Sequence, residues 1–148
     1  MKEIVLLFFL SLGITFLAAA QGQPELLKAR IINANCKVNY LRIPSDSSDV
    51  YLVNLAFVSS RNLWFSLVLE NKDEYIRFKN DLLDKTRETT LIDKSQYYTV
   101  SRRKYYISKS LQDDTIQLML TNNQERWVMT KEVAKELSLY INSIDYGN

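Results

Sequence analysis

Between Gln23 and Tyr146 this chain contains no glycine; its three glycines are Gly13, Gly22 and Gly147. That removes the residue that reaches left-handed backbone angles without steric cost. Tight turns in the body of the chain must then be made by Asn, Asp and Ser, whose short side chains hydrogen-bond their own backbone. Such clusters stand at Asn33-Ala34-Asn35, at Ser45-Asp46-Ser47-Ser48-Asp49 after Pro44, and at Ser59-Ser60-Arg61-Asn62. Two more are Gln112-Asp113-Asp114 and Asn122-Asn123-Gln124. Punctuation at such short intervals belongs to a strand-rich fold.

The segments between these turns carry the period-two pattern of strands. Leu26 to Ile43 is rich in β-branched and aromatic residues and breaks at Asn33-Ala34-Asn35. Val50 to Val58 is apolar on both faces, which predicts a central strand. Leu63 to Leu69 sets Leu63, Phe65, Leu67 and Leu69 on one face. Gln96 to Ser110 reads as one long Tyr-rich stretch. Thr115 to Thr121 alternates with Ile116, Leu118 and Leu120 inward, and Glu125 to Met129 closes the set.

Two segments change to the helical period. Lys72 to Glu88 follows Asn71 as N-cap, with Glu74 at capping-box spacing, and its apolar positions are Tyr75, Ile76, Leu82 and Leu83, with Phe78 between. Lys131 to Ile144 follows Thr130 and carries one stripe: Val133, Ala134, Leu137, Tyr140, Ile141 and Ile144. Each half of the chain thus runs as three or four antiparallel strands, the last of them Trp-bearing (Trp64, Trp127), then a polar cap and an amphipathic helix. The expected fold class is α+β, with this unit occurring twice in one compact domain spanning 21–148. The structural halves are about 25–90 and 95–146, with a join near Thr89 to Lys94 and no residue-level identity between them.

Residues 1–20 read as a cleavable signal peptide. A short charged start, Met1-Lys2-Glu3, precedes an apolar run from Ile4 to Ala20 that ends Ala18-Ala19-Ala20. At about 17 residues the run is shorter than the roughly 20 needed to cross a bilayer. No cysteine stands at the cleavage point, so a lipoprotein is not expected. Cys36 is the only cysteine, so no intrachain disulfide can form. It reads as a small buried core residue. Small eukaryotic secreted domains lean on disulfides, and no Asn-x-Ser/Thr acceptor occurs. Both facts point to a bacterial periplasm or cell exterior. The formal net charge of +2 demands no polyanionic partner.

There is no histidine. That excludes Ser-His-Asp and Cys-His catalysis, the usual zinc sets and histidine-based pH sensing. The glycine-free body excludes a P-loop, a dinucleotide fingerprint and a nucleophile elbow. No cofactor is implied, and no metal site. Ser101-Arg102-Arg103-Lys104 has Ser-x-x-Lys spacing, but it sits in a Tyr-rich stretch rather than at a helix start. The acid pairs Asp46 with Asp49, Asp73 with Glu74, and Asp113 with Asp114 fall in turns or a helix first turn, where acids serve local roles.

The stretch with most functional character is the interleaving of Tyr97, Tyr98, Tyr105 and Tyr106 with Arg102, Arg103 and Lys104. Aromatics alternating with cations suit base stacking and phosphate contacts, and strands-then-helix repeats occur in single-stranded nucleic-acid binders. Export argues against nucleic acid, leaving a protein or an anionic envelope component as the expected partner. The alternative is a solvated strand whose long side chains cover tyrosine rings. The function expected is that of an exported, non-catalytic binding protein. The competing readings are a small hydrolase using carboxylates or a Ser/Lys pair, and a small-ligand carrier.

Overall fold

A computed structural model describes residues 22–87, 97–110 and 112–147, without the side chains of residues 97–99. The predicted signal peptide, the join near Thr89 to Lys94 and the end of the first helix at Glu88 lie outside the described residues. The first half forms β1 (Glu25–Asn33), β2 (Cys36–Ile43), β3 (Val50–Val58), β4 (Trp64–Leu69) and helix α1 (Lys72–Arg87). The second half forms β5 (Tyr97–Ser101), β6 (Tyr105–Ser110), β7 (Thr115–Leu120), β8 (Arg126–Thr130) and helix α2 (Lys131–Asn142). The fold is α+β. Each set of four strands makes its own antiparallel sheet, ordered β1-β2-β3-β4 and β5-β6-β7-β8.

The Gly-poor turns are built as the composition requires. Asn62 and Asp114 take left-handed φ values of 60° and 52°, and Gln124 joins them at 57°. Side chains supply the closing bonds: Asn35 N–H donates to Asn33 Oδ1 at 2.8 Å, and Glu125 N–H to Asn123 Oδ1 at 3.1 Å. The helix caps follow the same local chemistry. Glu74 N–H donates to Asn71 Oδ1 at 2.9 Å, and Val133 N–H to Thr130 Oγ1 at 3.4 Å. Only half of the expected capping box forms at α1, because the Glu74 carboxylate accepts from the N–H of Glu70 rather than from that of Asn71.

One face of each sheet and the apolar stripes of both helices build a shared core. It takes Val38 and Cys36 from β2, Leu55 and Phe57 from β3, Phe78 and Leu82 from α1, Ile107 and Leu118 from the second sheet, and Leu137 from α2. Burial of each such large side chain stabilises by about 1.5–3 kcal/mol. The helices touch each other, and Tyr75 fixes the contact by donating to the carbonyls of Ile141 and Ile144 at 2.6 and 2.9 Å. The α2 stripe is buried as the period required, through Ala134, Leu137, Tyr140 and Ile141, with Ile144 just past the helix. In α1 the expected stripe is corrected at two positions. Ile76 is 38% exposed and Leu83 is only half-buried, while Phe78, one turn from Tyr75 and Leu82, lies inside.

A larger correction falls on residues 96–110. The Tyr-rich stretch is two antiparallel strands, in register Tyr97↔Ser110 to Ser101↔Tyr106, with Arg102, Arg103 and Lys104 as the hairpin loop. Arg102 N–H donates to the carbonyl of Tyr105 at 2.8 Å to close it. None of the usual turn residues is present. The loop is made instead by contacts to distant parts of the chain.

Candidate functional site

The hairpin tip is held by ion pairs to α1 and to the end of β4. Arg102 lays its guanidinium on Asp81, with Nε and NH2 each 2.9 Å from a carboxylate oxygen. That bidentate bond, then the charge of Asp81, raises the Arg102 pKa. Asp81 is buried, and it also accepts from the Tyr105 hydroxyl at 2.8 Å. Tyr105 itself lies in the core, 4% exposed, with its ring edge-on to Phe78 at 5.2 Å. Burial, then its bond to Asp81, pushes its phenol up.

Lys104 is equally committed. Its ammonium lies 2.9 Å from Glu70, 3.0 Å from Glu74 and 3.3 Å from the carbonyl of Val68. Burial pulls its pKa down, but the bonds to the two glutamates outweigh that and the net shift is upward. Thr121 completes the clamp: its hydroxyl donates to the carbonyl of Arg103 at 2.9 Å and its N–H to that of Lys104 at 3.1 Å.

The seven expected surface residues therefore separate. Arg102 and Lys104 spend their charges on this chain's own carboxylates, and Tyr105 is interior. Tyr106 is half-buried. Tyr97 and Tyr98 lie in β5, with side chains outside the described residues. Arg103 is exposed and makes no ion pair among the described residues. A lysine that acts as a base has a lowered pKa, whereas the shift at Lys104 runs upward.

The pair Asp113 and Asp114 is likewise engaged by this chain's own groups. The Asp113 carboxyl is held below its usual range by hydrogen bonds from Ser110 and Thr115, and that of Asp114 by the Lys131 ammonium at 2.9 Å. A general acid needs the opposite shift. Among the described residues no three His, Cys, Asp or Glu side chains come together as a metal site would need.

Two clefts meet at Lys104. The first, about 320 Å³, lies between the hairpin tip and the start of α1, lined by Asn71, Glu74, Arg77, Arg102 and Arg103 among others. The second, about 430 Å³, runs beside Trp64, Ser66 and Val68 along β4, with Leu120, Asn122 and Asn123 of the β7–β8 turn opposite. Beside it stand two large exposed apolar residues, Leu63 at 53% and Trp64 at 47%. The Lys37 ammonium lies 5.2 Å over the Trp64 ring. The sequence held a signal for this edge. The period-two reading sets Leu63, Phe65, Leu67 and Leu69 on one face, leaving a tryptophan on the other; Leu63 departs from it, because it precedes β4 and is exposed.

Arg102→Ala is expected to lower the thermal midpoint clearly, because it strips the buried Asp81 carboxylate of its cation. Arg103→Ala is expected to change stability by no more than about 0.5 kcal/mol. Paired thermal melts check this, and equal effects of the two changes would contradict the assignment of the tip as a structural clamp.

No family model matches the chain, and no curated protein matches it. Among the described residues no helix is long and apolar enough to cross a membrane.

Proposed function

We propose that this chain is exported by way of its N-terminal apolar segment, cleaved after Ala20, and works in the periplasm or outside the cell by binding another protein rather than by catalysis. The observation that carries this reading is Trp64, 47% exposed on the wall of the cleft along β4, with Leu63 before it in the chain 53% exposed. Exposed tryptophan beside a groove is the kind of residue that anchors protein interfaces. An anionic envelope component is the weaker partner, since two of the three hairpin cations are already paired with Asp81, Glu70 and Glu74. We also read the two halves as copies of one unit. Four antiparallel strands in sequence order followed by a helix, once ending at Arg87 and once at Asn142, support that reading.

The test places a photo-crosslinking amino acid at Trp64 in the exported protein, in its native compartment. A comparison variant carries the same group at Leu139, which is 73% exposed on α2. A discrete protein adduct at position 64 that is absent at position 139 is the expected result. Identical adduct patterns from both positions, or none from either, would sink the reading.

A further inference from the structure

β4 is the last strand of the first sheet, so only one of its sides is paired. In an antiparallel ladder successive residues turn their N–H and C=O groups alternately toward and away from the neighbouring strand. Ser59 N–H donates to the carbonyl of Leu63 at 2.8 Å. Continuing that alternation through the register Phe57↔Phe65, Leu55↔Leu67 and Val53↔Leu69 turns Phe65, Leu67 and Leu69 toward β3. Trp64, Ser66 and Val68 then turn their backbone groups outward. The Val68 carbonyl confirms that direction, since it accepts from Lys104 on the open side.

The outward groups of Trp64, Ser66 and Val68 face the cleft of about 430 Å³, whose far wall is Leu120, Asn122 and Asn123. Native proteins block such edges because unpaired backbone recruits other strands. Among the described residues no strand pairs with this edge, and the Val68 carbonyl alone is taken, by Lys104.

We propose that this groove receives an extended peptide segment of a partner protein, which adds to β4 as a further strand. Main-chain bonds to Trp64, Ser66 and the Val68 N–H would give the affinity, and side chains at alternate positions the specificity. The wall selects the occupant. Leu120, Asn122 and Asn123 stand across the cleft from β4, where the edge of a second copy would have to enter, so edge-to-edge docking of two copies is disfavoured. One end of the groove is closed by the Glu70–Lys104 ion pair, and the walls between are apolar or neutral. The segment that fits is therefore apolar at alternate positions. This inference rests on the reading of β4 as the binding side of the molecule.

The probe is a phage-displayed library of random linear nonapeptides, panned on the exported protein. The tightest peptide is then synthesised in two forms, one unmodified and one N-methylated at alternate residues on the side that would face β4. Strand addition predicts that binding slows amide hydrogen exchange at Trp64 and Ser66 and that N-methylation weakens binding at least about tenfold. On the protein side, Ser66→Pro removes an outward N–H without breaking a β3 bond, so it should fold and lose about tenfold in affinity, while Ser66→Ala should not. If Ser66→Pro does not fold, the N-methylated peptide on the unmodified protein decides. Peptides that depend on Trp64 but bind equally well N-methylated would overturn strand addition and leave β4 as a side-chain contact surface. Peptides indifferent to both Trp64 and N-methylation, or a library yielding no binder, would overturn strand addition and the reading of β4 together.

Discussion

Raised above pH 9, this protein is expected to lose stability steeply and to unfold before pH 12. Burial pushes the Cys36 thiol up from 9.0 to about 12. Burial likewise raises the phenols of Tyr40, Tyr75, Tyr105, Tyr140 and Tyr146 above their ordinary 10.0. Each of these groups is neutral when protonated and keeps its proton longer in the folded state. Once the pH passes the unfolded value, the unfolded chain releases protons that the folded chain retains. Stability then falls with pH, at about 1.4 kcal/mol per unit for each such group. Cys36 alone removes about 4 kcal/mol between 9.0 and its folded value of about 12, against a typical total of about 5–15 kcal/mol. Four of these tyrosines are also structural donors: Tyr75 to the end of α2, Tyr40 to the carbonyl of Asp145, Tyr105 to Asp81 and Tyr146 to the carbonyl of Tyr51.

On the acid side, the lowered carboxyls of Asp113, Asp114 and Glu132 contribute stability that is present above their ordinary range and lost as pH falls through their folded values. The chain has no histidine, the side chain whose ordinary pKa falls in the interval between. The expected profile is a flat plateau ending in an alkaline cliff. Circular dichroism recorded with tyrosinate absorbance checks it, with a thiol reagent at neutral pH showing slow labelling of Cys36. Full tyrosinate absorbance near pH 10 in a chain that keeps its native dichroism would contradict the burial that drives the effect.

How much of this could be read from the residues depends on how local the determining physics is. Thr115 to Leu120 and the Val133–Ile144 stripe were legible because one buried face imposes its own period. The turns at Asn62 and Asp114 were legible because the absence of glycine leaves Asn and Asp the residues that reach a left-handed φ most cheaply. The hairpin at Arg102 was not. Its turn is set by Asp81, 21 residues upstream, and by Glu70, 34 residues from Lys104, and neither spacing leaves a local mark. The same distance misdirects the functional reading. A run of cations beside tyrosines looks like a surface seeking an anion, but composition cannot say that the anions are already supplied from α1 and the end of β4. The β4 edge was half legible. Trp64 stands out on the wrong face of a clean alternation, whereas the openness of that edge depends on sheet order, which the pattern of a single strand does not encode.

Phe57→Ala is expected to be among the most damaging single substitutions, costing about 3–5 kcal/mol and lowering the thermal midpoint by roughly 10–20 °C for a chain of this size. Phe57 is 0% exposed in β3, and its ring stacks on Trp127 of β8 at 5.7 Å between centroids, with planes 19° apart. The two rings belong to different sheets, so the stack joins the halves of the molecule rather than stabilising either alone. The neighbouring contacts repeat the pattern. Ser60 N–H donates to the carbonyl of Arg126 at 2.8 Å, and Arg61 meets the buried Glu125 at 3.1 Å. If this seam couples the sheets, Trp127→Ala should cost a similar amount, and the double variant should fall short of the sum by about 0.5–1.5 kcal/mol, the worth of a stacked aromatic pair. Val128→Ala, beside Trp127 but 45% exposed, is the control and should shift stability by no more than about 0.5 kcal/mol. All four chains should melt in one transition, because removing part of a shared core weakens both sheets at once. A Phe57→Ala cost below about 1 kcal/mol, far under the range for a buried aromatic, would overturn this account of the seam. So would strict additivity in the double variant, since the rings would then be neighbours in space that do not depend on each other.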